Sequence, residues 1–346
     1  SLDAIVEKLT MLGLEVEDIT DPGADLAAFS VGHVREARPH PNADRLRLCT
    51  VETRHGVFEV VCGAPNARAG MKAVFAPEGS VIPVSGEVLK KATIRGVASV
   101  GMLCSARELK LGEDHDGIIE LPEAAEVGEP AAKALGLEGP VLEVKLTPDR
   151  GDCFGVAGIA RDLAAAGLGR LKSRDFTAVP ARGPAGTAIR LDFPRGEEAA
   201  CPLFVGRRIR GVRNGPSPAW LQNRLKAIGL RPISALVDVT NYVTFDLCRP
   251  LHVFDAAALE GNDITLRFAH LGEELAALDG RTYRLDDGMT VIADAGGPVS
   301  LGGIMGGERT GVTAETTDVL LEVALFDPLR TAATGRRLGI ESDART

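Results

Sequence analysis

Apolar and polar positions follow two rhythms along this chain, and the change from one to the other divides it. Residues 3–12 carry the helical rhythm: Ile5, Leu9 and Leu12 share one face, Glu7 and Lys8 the other, and Gly13 follows as a stop. Residues 18–25, polar and with a Pro-Gly, read as a linker. From Phe29 the rhythm becomes that of short strands, 31–37, 46–51, 58–62 and 72–75, with turn residues between them; this spacing is that of a small β-barrel. Asp114-His115-Asp116-Gly117 reads as a solvated turn, 118–121 and 141–146 as strands, and 147–152 as a turn. A helix over about 154–167 then places Val156, Ile159, Ala160 and Leu163 on one face, with Gly167 or Gly169 ending it. Packed with the first helix, it makes the barrel an insertion.

Pro180, Gly183, Pro184 and Gly186 break any periodicity over 174–187, a second linker. Residues 188–346 alternate strands (204–209, 264–268, 290–293, 319–322) with helical stretches near 217–229 and 328–338. The lone Trp220 is read as a core residue of the first of these helices. A chain of 346 residues predicts two or three domains.

Charge and cysteine usage narrow the classes. The formal charge of −9 argues against broad, non-specific nucleic-acid binding. Residues 30–112 oppose that sign, with 12 Lys/Arg against 7 Asp/Glu, as a local nucleic-acid face would. Six scattered cysteines without a C-x-x-C pair fit a reducing compartment, with thiols as small core residues. No apolar run approaches the roughly 20 residues of a membrane span, so no membrane association is expected. The start lacks a basic segment followed by an apolar one, and both ends read as those of a piece of something longer.

Candidate chemistry concentrates in residues 237–255, which hold Asp238, Thr240, Asn241, His252 and Asp255 among apolar side chains. Two later stretches suit it as partners: 300–307, rich in glycine, and 321–328, where Leu321 and Val323 flank Glu322. A neutral His, an apolar-flanked carboxylate and exposed glycine N–H groups can make a hydrolytic pocket; the same residues can also be satisfied core-edge groups. Cys248 and His252 make the closest Cys/His approach, no second pair accompanies them, and no metal site is expected. G-x-x-x-x-G-K-[ST], H-x-G-H and K-M-S-K-S elements are missing from the chain.

Motif order then points to a family. His40-Pro41-Asn42-Ala43-Asp44-Arg45-Leu46, followed by Gly101-Met102-Leu103-Cys104-Ser105, resembles the tRNA-binding OB-fold of several tRNA synthetases. With Cys62-Gly63-Ala64-Pro65-Asn66, 147–153, 158–161, 237–243, 250–255, 302–307 and 322–328, nearly the whole chain resembles the N-terminal half of the β subunit of bacterial phenylalanine–tRNA ligase. The resemblance implies an α+β multidomain chain: an OB-fold barrel (29–122) inserted in a small α/β domain (1–28 plus 123–173), then a B3/B4 editing domain (188–346) truncated at its C-terminal end. It implies tRNA contacts by His40, Asn42, Asp44, Arg45, Met102 and Ser105. It also implies hydrolysis of tyrosine mischarged on phenylalanine tRNA, with catalytic His252, Thr240 and Asn241 and substrate-binding Glu322, Gly306, Ser342 and Ala344. Tyrosine would be told from phenylalanine by its phenol, bonded to Glu322.

The family departs from this chain in having Gly-Gln at Cys248-Arg249, and Asn-Arg-Pro-Asp at Asp149-Arg150-Gly151-Asp152. Further implications are a cytoplasmic location, an α-subunit partner in an (αβ)2 assembly, and no cofactor in this chain. ATP and Mg would serve the full enzyme elsewhere. The contrasting expectation is a non-catalytic scaffold that holds tRNA or the α subunit.

Overall fold

Three consecutive strands, Ser30–His40, Ala43–Thr53 and Gly56–Cys62, pair antiparallel: a tight turn joins each to the next, and Val34, Cys49, Val51 and Val60 meet in one core while Arg35, Arg38 and Glu59 face out. Lys72–Ala76 pairs with the first of them on its other side, and the short strands Met102–Leu103 and Glu120–Leu121 pair with Lys72–Ala76 in turn. Among the described residues these strands form an open six-stranded sheet. In this computed structural model the described residues are 1–346 without 113, 114, 138, 185, 262, 343, 345 and 346, so Asp114 of the expected turn lies outside them.

By compactness the chain divides into two units, Val16–Val144, and Ser1–Glu15 with Lys145–Thr346. The core of the first unit contains Val34, Cys49, Val51, Val60, Ala73 and Phe75. Phe75 dictates its neighbours: a Cβ on Gly101 would lie 2.5 Å from its ring, and one on Gly32 would lie 3.0 Å from its Cβ and 2.9 Å from Val51. Both positions are closed to any larger residue. A β-hairpin, Ala92–Ile94 with Val97–Ser99, turns through Arg95 and Gly96, both at positive φ (48° and 84°). The ends of the unit run as paired strands, Glu15–Thr20 with Val141–Lys145.

In the second unit, helix Leu2–Met11 starts at Ser1, whose hydroxyl accepts from the Ala4 amide at 3.3 Å. It packs on helix Val156–Ala165, as the sequence led us to expect. Arg150 fastens the two, donating to Leu12 O (3.3 Å), Asp152 (3.2 Å) and Asp162. Asp152, Cys153 and Asp162 lie close enough to hold a cation, but guanidinium groups already fill that role, since Arg161 also donates to Asp152. Two sheets follow. Ile189–Asp192, Ile264–Phe268, Thr290–Asp294, Gly297–Leu301 and Met305–Gly306 form one, with a parallel pair at its Ile189–Asp192 edge. Leu203–Arg210, Asp318–Leu325 and His252–Asp255 form the other, with Asp318–Leu325 in the middle.

The expected helices and strands are found within a few residues of their predicted ends. Residues 18–25, however, read as a linker, hold the end of strand Glu15–Thr20 and the short helix Pro22–Asp25. Several short strands were not expected, and one long helix was missed. Residues 235–247 are an α-helix that the strand-like run of Val, Thr and Tyr conceals. Its start is pinned by Asp238, fully buried and accepting from the Ile233 amide (2.8 Å) and the Ser217 hydroxyl. It ends at Cys248, a non-glycine residue in the left-handed region (φ 52°). Trp220, read as a core residue, is 55% exposed and stands edge-on to Tyr242 at 5.6 Å.

Two substitutions test this packing. Gly158 lies where a Cβ would meet Asp152 O at 1.8 Å, so Gly158→Ala is expected to destabilise the chain by about 3 kcal/mol. Cys248→Gly relieves a left-handed residue and is expected to stabilise it by about 1 kcal/mol. Urea unfolding of both variants against wild type checks the signs.

Candidate functional site

The middle strand of the three-stranded sheet, Asp318–Leu325, sets the geometry. Period-two alternation puts Leu320, Glu322 and Ala324 on one face, and Leu320 and Ala324 belong to an apolar cluster with Phe254, Ile264, Leu266 and Ile292. Glu322 is thereby drawn inward and is 7% exposed. On one side it faces Gly206, on the other His252, its cross-strand partner. A Cβ on Gly206 would lie 2.7 Å from Ile189, so no side chain fits beside the carboxylate there.

His252 and Glu322 lie on the floor of a cavity of about 1040 Å3. Among the described residues neither side chain has a hydrogen bond, and the His252 Nε2 is fully enclosed. The imidazole stands edge-on to Phe254 with ring centroids 4.4 Å apart. Desolvation dominates both groups. It lowers His252 from 6.5 to about 4 and pushes Glu322 up from 4.5 to about 7. From pH 4 to 7 the floor therefore holds a neutral imidazole and a protonated carboxyl rather than an ion pair.

Gly306 forms the wall against His252: a Cβ there would sit 2.2 Å from Cε1 of the ring. The neighbouring glycines serve packing as well. A Cβ on Gly302 or Gly303 would strike the Phe326 ring at 2.6 or 2.9 Å. The amides of Gly302, Ile304 and Gly307 already donate to Thr290 O (3.0 Å), Leu301 O (3.1 Å) and Val299 O (2.8 Å). The glycine run thus presents fewer free N–H groups than its sequence promised. Ser342 closes this side by donating from Oγ to Ile304 O at 2.8 Å, and Ala344 lines the cavity.

Of the residues singled out from sequence, His252, Glu322, Gly306 and Ala344 come together at the cavity, with Ser342 on its glycine loop. Thr240 and Asn241 are not among its lining residues. The Thr240 hydroxyl turns back to Val237 O (2.7 Å), and the helical turn brings Thr244 to the cavity instead. Asp255 binds Thr316 Oγ1 (2.6 Å) and the Ala257 amide (2.9 Å), a turn role. Phe154 and Arg249 also line the cavity without having been foreseen, and Phe326 reaches it from the partner stretch 321–328. Asp327-Pro328, at the end of the last matching block, is a helix start: Asp327 caps the Arg330 amide at 2.8 Å.

In the Val16–Val144 unit the motif residues divide in the same way. His40 is 5% exposed; its Nδ1 accepts from the Asn42 amide (3.1 Å), which leaves Nε2 to donate to Ile94 O (3.1 Å). Asn42 donates to Arg95 O at 2.8 Å. Together they hold the hairpin that displays Arg95. Ser105 is buried and bonded to Glu108 at 2.7 Å, and Met102 is half-buried against the core. Asp44 and Arg45 are exposed. Arg35, Arg38 and Arg68 are neutralised by Glu52, Glu59 and Glu120, whereas Arg45, Lys90, Lys91 and Arg95 are exposed with no ion pair among the described residues.

Comparison with known proteins gives these units their class. Residues 29–130 match the family model of a tRNA binding domain, and residues 200–346 match that of the B3/4 domain. The chain is thus a tRNA-binding module joined to a B3/4 module. Over 345 residues, all of this chain and 43% of the relative, it is 57% identical to the phenylalanine–tRNA ligase β subunit of Paramagnetospirillum magneticum. It is 59% identical to that of Rhodospirillum rubrum over the same span, again 43% of the relative. The chain belongs to the phenylalanine–tRNA ligase β-subunit family, and it spans about two fifths of the length of the curated relatives it matches. A solved N-terminal fragment of the Pyrococcus horikoshii phenylalanyl-tRNA synthetase β-subunit is similar over 57% of this chain and 61% of its own, at 15% identity and a TM-score of 0.32, too loose a likeness to carry an argument.

The floor makes a signed pH prediction. Glu322 binds its proton more tightly folded than unfolded, so its contribution to stability is lost as pH rises from 4.5 through about 7. His252 acts oppositely: its contribution is present above 6.5 and lost as pH falls towards about 4. Glu322→Gln removes only the first term. Its stability relative to wild type is expected to increase by about 3 kcal/mol between pH 4.5 and 8, measured by urea unfolding across that range. A constant difference would show that the carboxyl is solvated. Gly306→Ala is expected to displace the imidazole, destabilise by about 1–3 kcal/mol, and move the His252 ring signals in an NMR spectrum.

Proposed function

We propose that this chain binds tRNA through its Val16–Val144 unit and removes tyrosine wrongly esterified to phenylalanine tRNA in the cavity floored by Glu322 and His252. The observation that carries this reading is the cross-strand pair itself: a desolvated carboxyl and a neutral imidazole, side by side and without hydrogen-bond partners among the described residues, in a cavity walled by Gly306. A phenol entering the cavity supplies the donor that the Glu322 carboxylate lacks. Phenylalanine leaves it unpaired, at a cost of roughly 1–3 kcal/mol. A site that must bond a hydroxyl rejects its absence far better than an apolar site rejects its presence. His252, neutral at physiological pH, can accept a proton from water or orient the terminal ribose.

On this reading the six-stranded sheet is the OB-fold of the tRNA-binding module, with the boundaries expected from sequence. Asp44 and Arg45 are exposed for tRNA contact, together with Arg95; His40, Asn42, Met102 and Ser105 shape that surface. Thr240 and Asn241 support the helix that delivers Thr244 and Arg249 to the cavity. The α subunit, the (αβ)2 assembly and a cytoplasmic setting belong to the same proposal. The committed Thr240 hydroxyl and glycine amides favour, as the second reading, a binding scaffold without hydrolysis.

Single-turnover deacylation of tyrosyl- and phenylalanyl-tRNA separates the two. Glu322→Ala is expected to lower the tyrosine-to-phenylalanine preference about 10- to 150-fold, the effect of losing a charge-assisted bond. His252→Ala is expected to slow both esters with little change in their ratio. Tyrosine preference in the wild type is expected to rise as pH passes about 7, where Glu322 ionises, and to lose that rise in Glu322→Gln. Absence of any wild-type deacylation, with tRNA still bound, would establish the scaffold reading.

A further inference from the structure

The cavity has a third ionisable side chain, and this one is exposed. Arg249 lines the cavity and is exposed, whereas Glu322 is buried and His252 half-buried with its Nε2 enclosed. Among the described residues the Arg249 side chain has no hydrogen bond or ion pair. Asp246, three residues before it, takes two bonds from Arg174, and Asp152 takes bonds from both Arg150 and Arg161. Among the described residues Arg249 is therefore a cation without an ion-pair partner, exposed on the lining of the cavity.

Its backbone is held in place. Cys248 adopts a left-handed conformation that ends the preceding helix, and its thiol donates to Gly151 O at 3.6 Å. Pro250 restricts the bond that follows. The guanidinium thus springs from a fixed turn.

We propose that Arg249 is a positioning residue that binds the phosphate of the nucleotide carrying the ester, so that the aminoacyl group enters the cavity ahead of it. This rests on the editing reading above. A cavity of about 1040 Å3 exceeds what one amino acid needs and reaches the upper range of small-molecule pockets, about 300–1000 Å3, so part of the nucleotide can enter with its amino acid. An ester on a terminal ribose carries its nearest formal charge on the 5′-phosphate of that nucleotide. Arg matches a phosphate with a planar fork of donors, which a neutral side chain cannot do. The arrangement is complementary: the exposed cation meets phosphate, and the carboxyl meets phenol at the floor.

The test uses a stable amide analogue of the ester, 3′-deoxy-3′-(L-tyrosylamino)adenosine, with and without a 5′-phosphate, titrated calorimetrically into the 346-residue chain. The phosphorylated analogue is expected to bind about five- to tenfold more tightly, the discounted strength of an exposed charged bond. In Arg249→Gln that ratio is expected to fall to about one, and Arg249→Lys to retain part of it. Raising salt to about 0.5 M should shrink the wild-type ratio as well. With mischarged tRNA, Arg249→Gln is expected to raise the half-saturating concentration by a similar factor and to affect the saturated rate far less. Equal wild-type affinity for the two analogues, with binding lost in Glu322→Ala, would overturn the role of Arg249 and leave the editing pocket standing. A ratio that survives in Arg249→Gln would likewise assign the phosphate to another group. If neither analogue binds, this inference and the reading beneath it fall together.

Discussion

A carboxyl group held in an apolar sheet, with no hydrogen-bond partner among the described residues, is the constraint on which the cavity depends. Strand Asp318–Leu325 places Glu322 on the same face as Leu320 and Ala324, and a slip of one residue in its register would turn that face to the opposite side. The register is secured by pairing on both edges, and the space beside the carboxyl is kept clear by Gly206. His252 arrives from the neighbouring strand at the matching level, and Gly306 is small because the imidazole occupies the volume a side chain would need. The Phe326 ring then explains Gly302 and Gly303. A chain of steric requirements runs outward from one buried acid.

That acid is expensive to keep. An unpaired buried polar group costs about 1–3 kcal/mol, and here an imidazole and a carboxyl carry the penalty side by side. Desolvation pushes their proton affinities in opposite directions, so the pair stays uncharged over the range where an ordinary Glu and His would form an ion pair. A floor of this kind is poorly optimised for folding and well suited to a ligand that brings its own donor. Such conflicts between local cost and global fold are expected where a protein does its work.

The Val16–Val144 unit shows a different use of motif residues. The most recognisable segment, His40-Pro41-Asn42, is internal carpentry: a buried imidazole and an amide fasten a hairpin through backbone carbonyls. Of the exposed cations near it, Arg45 belongs to the motif itself, whereas Arg95 is a single exposed residue that no pattern distinguishes from solvated surface. Motif residues and exposed cations therefore overlap only in part.

Periodicity alone located about half of the strands and most of the helices, because alternation of period two or 3.6 is imposed by burial on one face and is visible residue by residue. Motif order identified the family, and His252, Glu322 and Gly306 were legible as partners before any coordinates. Helix Ala235–Leu247 was not, because β-branched and aromatic residues disguise a helix that a buried Asp238 and tertiary packing stabilise. Thr240 and Thr244 are equally plausible by sequence; only the helical turn decides which of them meets the cavity. The glycine run looked like a donor cradle, yet its glycines yield to Phe326 and His252, side chains distant in sequence. Sequence determined which residues could carry chemistry, since residue type and local period are written there. Tertiary structure decided which were left unpaired, because a hydrogen bond is satisfied or lost only when distant segments pack together.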